Sequence, residues 1–198
     1  MAEDARTSLD LAMSGIAALW LGAVTILGAS GLLYGIGLGL APVVWAPVLA
    51  FVAAFGLARG VRAWALALPS RPLVLVHLIR VVGLAFLVLH GQGRLPGAFA
   101  LPAGWGDLVM AASVPGAVLC ASARTRARRW GLLLWNVAGL ADVLYAVLTA
   151  MRLRLSNPME MAAITSFPLS LIPTFVVPLL LITHFILIAQ LYGKRARP

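Results

Sequence analysis

Apolar runs of roughly 20 residues recur along almost the whole chain, each long enough to carry a helix across a hydrocarbon core about 30 Å thick. This feature limits the fold more than any motif does. In lipid the backbone must satisfy its own hydrogen bonds, and long runs without alternation do so as helices. The runs fall at about residues 11–34, 42–66, 73–89, 108–123, 130–151 and 168–192. Six crossings take up ~125 residues and leave only short loops. The chain is 62% hydrophobic and 11% charged, against about 25% charged in soluble domains, so no soluble domain is expected. The expected fold is all-α: a single domain over residues 1–198, an integral membrane bundle of about six transmembrane helices in a lipid bilayer.

The net charge of +9 would suggest nucleic acid in a soluble protein. Here the basic residues lie between apolar runs and orient them, so no nucleic acid is expected as a partner. With the N-terminus cytoplasmic, Arg6, Arg59, Arg62, Arg71, Arg124, Arg126, Arg128, Arg129, Lys194, Arg195 and Arg197 share that side, eleven of 15 Lys and Arg. Arg94, Arg152 and Arg154 lie opposite, and both termini are therefore read as cytoplasmic. The first run follows an acidic stretch, MAEDARTSLD, and is read as a retained span. Cys120 is the single cysteine, which excludes an internal disulfide and a covalent c-type haem.

Polar residues inside the apolar runs mark the candidate site, because charge and imidazole are costly in hydrocarbon. Measured at 1.5 Å per residue from the cytoplasmic side, His77 is ~9 Å deep, Arg80 ~13 Å, Asn136 ~9 Å, Asp142 ~18 Å and His184 ~12 Å. Five groups from three helices thus share one depth range. Arg80 needs a counter-charge and is expected to pair with Asp142. His90, Gln92 and Asp107 form a second group at the outer surface, where the glycines and prolines of residues 91–106 read as a loop or short re-entrant segment. Pro168, Pro173 and Pro178 are expected to kink or partly unwind the last span. Gly31, Gly35 and Gly39 are spaced for close helix packing, within the chain or as a homodimer face. GIGLG at residues 35–39 lacks the strand and lysine of a phosphate loop, and no HExxH or nucleophile-elbow motif is present.

In histidine placement the chain resembles membrane b-type cytochromes, which hold haem between histidines on separate helices. The resemblance implies haem b with His77 and His184 as iron ligands, His90 as a candidate third ligand and Arg80 at a propionate. It implies electron transfer or redox sensing with a quinone or a redox partner protein. His77 and His90 are thirteen apart and point about 140° apart on an α-helix, which departs from the two-haem pattern. The second reading is a proton-linked small-molecule transporter, or a membrane enzyme, centred on His77, Arg80 and Asp142. A lipid-modifying enzyme using His90 and Asp107 is a further variant. The runs HGQGRLPGAFALPAGWGD, RRWGLLLWNVAGLADV and SFPLSLIPTFVVPLLLITHF resemble uncharacterised bacterial multi-span inner-membrane proteins, which implies the bacterial inner membrane and no particular activity.

Overall fold

A computed structural model describes residues 2–32, 41–122 and 125–193, the first five of them by backbone alone. Every regular element among them is helical. Five described helices are long and apolar enough to cross a membrane, and a sharply bent pair would make a sixth. The described residues group into two compact units, residues 1–68 with 164–178, and residues 69–163 with 179–198.

In the first unit, α1 (Ala2–Ala29) stops where Gly31 takes a φ of +73°, a left-handed conformation that glycine adopts without steric cost. Gly31 therefore ends a helix, and Gly35 and Gly39 lie outside the described residues. α2 (Ala41–Leu57) does not run straight to residue 66 as expected. It breaks at the extended Ala58, and α3 (Arg59–Ala67) leaves at 105°. The pattern changes there from uniformly apolar to amphipathic. Arg59 and Arg62 lie exposed on α3, with the Arg62 guanidinium 5.7 Å from the Phe55 ring centre, and Trp64 donates to Asp10 at 2.6 Å. A helix carrying two exposed arginines cannot simply prolong an apolar run. The proline-spaced segment loosens as expected: residues 172–176 form a π-helical turn around Pro173, which has no N–H to give to the helical ladder.

The second unit holds the site. It consists of α4 (Ser70–Gly91), α5 (Gly97–Ala121), α6 (Arg126–Ser156) and most of α7 (Val177–Gly193). Val74, Val114, Ala117, Leu132 and Leu187, from all four helices, make one apolar cluster. At the arginine-rich end, Arg71 donates to Ser122 Oγ at 2.6 Å and Arg129 donates to the Leu191 carbonyl at 2.9 Å. A guanidinium there satisfies a helix-end carbonyl and meets the negative end of its dipole.

The segment read as a loop over residues 91–106 is mostly helix. Only Gln92–Pro96 connects α4 to α5, turning through Gly93 at φ +69°. Pro96 precedes the first turn of α5, and Pro102, Trp105 and Asp107 all lie inside that helix. Glycine and proline are tolerated here because α5 is held by close neighbours on both sides, α4 and α6.

In the second unit Leu134 is 67% exposed, while His77, Arg80, Asn136 and His184 are each 0% exposed amid apolar core residues. Exposed leucines outside and polar groups inside suit lipid as the surrounding solvent.

Candidate functional site

The site begins with the winding of α4. Its middle, Val76–Val82, is a 3₁₀ helix, in which residues three apart eclipse one another. His77 and Arg80 therefore stand on one line rather than about 60° apart as in an α-helix. Val74, His77, Arg80, Gly83, Phe86 and Leu89 are all buried, a stripe with a period of three.

Arg80 does not reach back to the surface. Its Nε donates to Asp107 Oδ1 at 2.7 Å, Nη2 donates to Asp142 Oδ2, and Nη1 donates to the Gly139 carbonyl at 3.4 Å. The expected pairing with Asp142 is present. The second carboxylate corrects the placement of Asp107 at the outer surface with His90 and Gln92. Because α5 starts at Gly97, Asp107 lies ten residues, or ~15 Å, along a helix and reaches the depth of Arg80. The Asp107 and Asp142 side chains retain 16% and 22% exposure, while Arg80 has none.

Three glycines make this meeting sterically allowed, and sequence reasoning missed them. A Cβ on Gly106 would lie 1.8 Å from Asp142 Oδ1, so the absent side chain leaves the space that the carboxylate occupies. A Cβ on Gly83 would lie 2.6 Å from Asp107 Cβ and 2.7 Å from the Gly104 carbonyl. One on Gly139 would meet Met110 Cε at 2.7 Å and His184 Cε1 at 2.8 Å. The available signal was the period of α6, where Leu132, Asn136, Gly139, Val143 and Val147 share the buried face.

Beside the ionic cluster, the His77 and His184 rings pack with centroids 4.4 Å apart, tilted by 53°. Trp135 meets His77 edge-on at 5.1 Å, and its indole N–H donates to Ser113 Oγ at 2.8 Å. Asn136 brackets His184: its Nδ2 donates to the His184 carbonyl at 3.1 Å, and its Oδ1 lies 2.7 Å from His184 Nδ1. Thr183 Oγ1 lies 3.2 Å from His77 Nε2. Thr183, Trp135 and Ser113 had no marker in the sequence, since each is ordinary in an apolar helix. His90 is not brought to this group. It lies thirteen residues beyond His77 on α4, about 20 Å away, with Nδ1 3.1 Å from the Leu95 carbonyl.

Haem does not fit between His77 and His184 as they stand. Imidazoles bound to opposite faces of one metal, with bonds of about 2 Å each, would have centroids roughly 6 Å apart with a porphyrin between them. Here the rings touch, and Gly139, Met110 and Trp135 fill the flanks. Among the described residues no group of three or more His, Cys, Asp or Glu is arranged to hold a metal ion.

The described residues define an all-helical protein with membrane-length apolar helices and, within its second unit, an ionic cluster centred on the buried Arg80. A family model described as a domain of unknown function, DUF8737, matches residues 33–192, and the chain belongs to that family. No curated protein and no solved structure matches it.

Proposed function

We propose that the chain is a multi-span protein of the bacterial inner membrane, with about six crossings and both termini cytoplasmic, and that its buried cluster is the working site of a proton-linked small-molecule transporter. One observation carries this reading. A fully buried guanidinium faces two carboxylates from two further helices, one positive charge against two negative. A structural ion pair needs one carboxylate. Surplus charge inside an apolar bundle is costly, and a bound proton removes it. The imidazole pair alongside extends the set of groups able to take a proton. The basic rim at one end of the second unit supports the orientation.

The test uses the full chain in liposomes with an entrapped pH-sensitive dye and an imposed pH gradient. Alkali cations, small amines, amino acids and small carboxylates are added in turn. Proton movement above protein-free vesicles is expected with at least one class, and its loss in Asp142→Asn. No response to any class, with the membrane potential clamped, overturns the proposal. A Soret band in purified protein that disappears in His77→Ala would also overturn it, in favour of the haem reading.

A further inference from the structure

The tautomers of both buried histidines follow from hydrogen-bond logic. Thr183 has one hydroxyl proton, and its Oγ1 lies 2.8 Å from the Leu180 carbonyl, which can only accept. That proton is committed, so His77 Nε2, against the same oxygen, is the donor. His77 therefore carries its proton on Nε2 and leaves Nδ1 bare. The Asn136 amide is oriented by its Nδ2 donating to the His184 carbonyl, which turns Oδ1, an acceptor, toward His184 Nδ1. His184 is therefore protonated on Nδ1 and leaves Nε2 bare. Among the described residues, His77 Nδ1 and His184 Nε2 are both buried without a hydrogen-bond partner. Two bare acceptors thus sit on touching rings, one 3₁₀ turn along α4 from a cluster that carries a surplus negative charge.

We infer that His77, Arg80, Asp107, Asp142 and His184 together hold a single exchangeable proton. With neutral imidazoles the five groups sum to one negative charge, +1 from Arg80 and −2 from the aspartates. One added proton brings the sum to zero, and a second would leave an uncompensated positive charge in the bundle. The proton has two kinds of seat, a carboxylate oxygen of the aspartate pair or a bare imidazole nitrogen. In moving between them, an O–H bond breaks as an N–H bond forms, the electron pair stays on oxygen, and no co-reactant is needed. Arg80 supplies the positive charge that both carboxylates face. These groups come from α4, α5, α6 and α7 and titrate as one unit. The inference deepens the proton-linked reading and rests on it for its purpose, while the proton count can be measured without transport.

Full-length detergent-purified protein with ¹⁵N-labelled histidine is followed by NMR from pH 8 to pH 5, in sodium and in choline buffers. At the alkaline end, His77 should show Nε2–H and His184 Nδ1–H, each with one nitrogen at the position of an unbonded imidazole. Over the range, wild-type protein should take up one more proton per chain than Asp107→Asn, whose five-group sum is already zero. The opposite tautomer at either ring, equal proton uptake in the two proteins, or independent titration of both rings to the doubly protonated form would overturn the inference. So would a step that moves with sodium concentration, which would assign the seat to a metal cation. The tautomer readout needs only wild-type protein and stands if the variant fails to fold. A one-proton step without vesicle transport removes the transporter reading alone, and transport without that step removes this inference alone.

Discussion

Helices α4 and α6 bring polar groups to the same place by different windings. The buried residues of α6 are spaced four, three, four and four apart, as an ordinary α-helix requires, and Asn136 and Gly139 fall on that face. In α4 the buried residues are spaced three apart, because the middle of the helix is wound as 3₁₀. The ordinary helix supplies neutral contacts from its centre, an amide and a carbonyl, and offers Asp142 from the edge of its buried face. The tightly wound one lines up an imidazole, a guanidinium and a glycine, so that the reactive groups and the close helix contact share one stripe. The tighter winding thus coincides with the costly groups, as mid-helix 3₁₀ stretches often do at functional segments.

The comparison breaks most severely at Arg80. Arg80→Leu leaves two partly buried carboxylates facing each other without a cation and should destabilise the protein by up to about 3–5 kcal/mol, the cost of breaking a fully buried pair. Thermal unfolding in detergent reads this, and Asp107→Asn with Asp142→Asn in the same chain should restore much of the loss. Wild-type stability in Arg80→Leu alone would mean that the cluster is not closed as described.

The next effect separates the two helices by their glycines. Gly83→Ala on α4 drives a methyl group into the Gly104 backbone carbonyl, which cannot swing away, whereas Gly139→Ala on α6 meets the mobile end of Met110 and the His184 ring. Overpacking of the second kind costs about 1–3 kcal/mol, and Gly83→Ala should exceed it. Equal melting temperatures for the two variants would show that α4 moves as freely as a side chain.

The smallest effect is on the neutral side of the site. Asn136→Leu removes the acceptor for His184 Nδ1–H and should cost about 1–3 kcal/mol. It should also change the His184 tautomer in the ¹⁵N spectrum while leaving His77 as it was. A His184 signal unaltered by the substitution would remove Asn136 from its role in orienting the ring.

Much of the site is legible in the sequence. His77, Arg80, Asn136, Asp142 and His184 stand out because polar groups inside apolar runs are rare and must find one another. The Arg80–Asp142 pair followed from that need alone. Asp107 was misplaced for a local reason: glycine and proline at Pro96, Gly97, Pro102, Gly104 and Gly106 read as loop, and their helix exists only because neighbouring helices approach closely enough to hold it. The break at Ala58 did carry a signal, the change from a uniformly apolar to an amphipathic pattern at Arg59 and Arg62, which the expected span to residue 66 ran through.

Composition and pattern were enough for the helical class, the membrane-length runs and the buried His77, Arg80, Asn136 and His184, because burial of apolar surface and the cost of charge in hydrocarbon act on residue type. They were not enough for the second carboxylate, the contact between the imidazoles or the bare nitrogens that result. Those depend on helix winding and on where one backbone passes another without a Cβ between them, distances of a few ångströms that only packing sets.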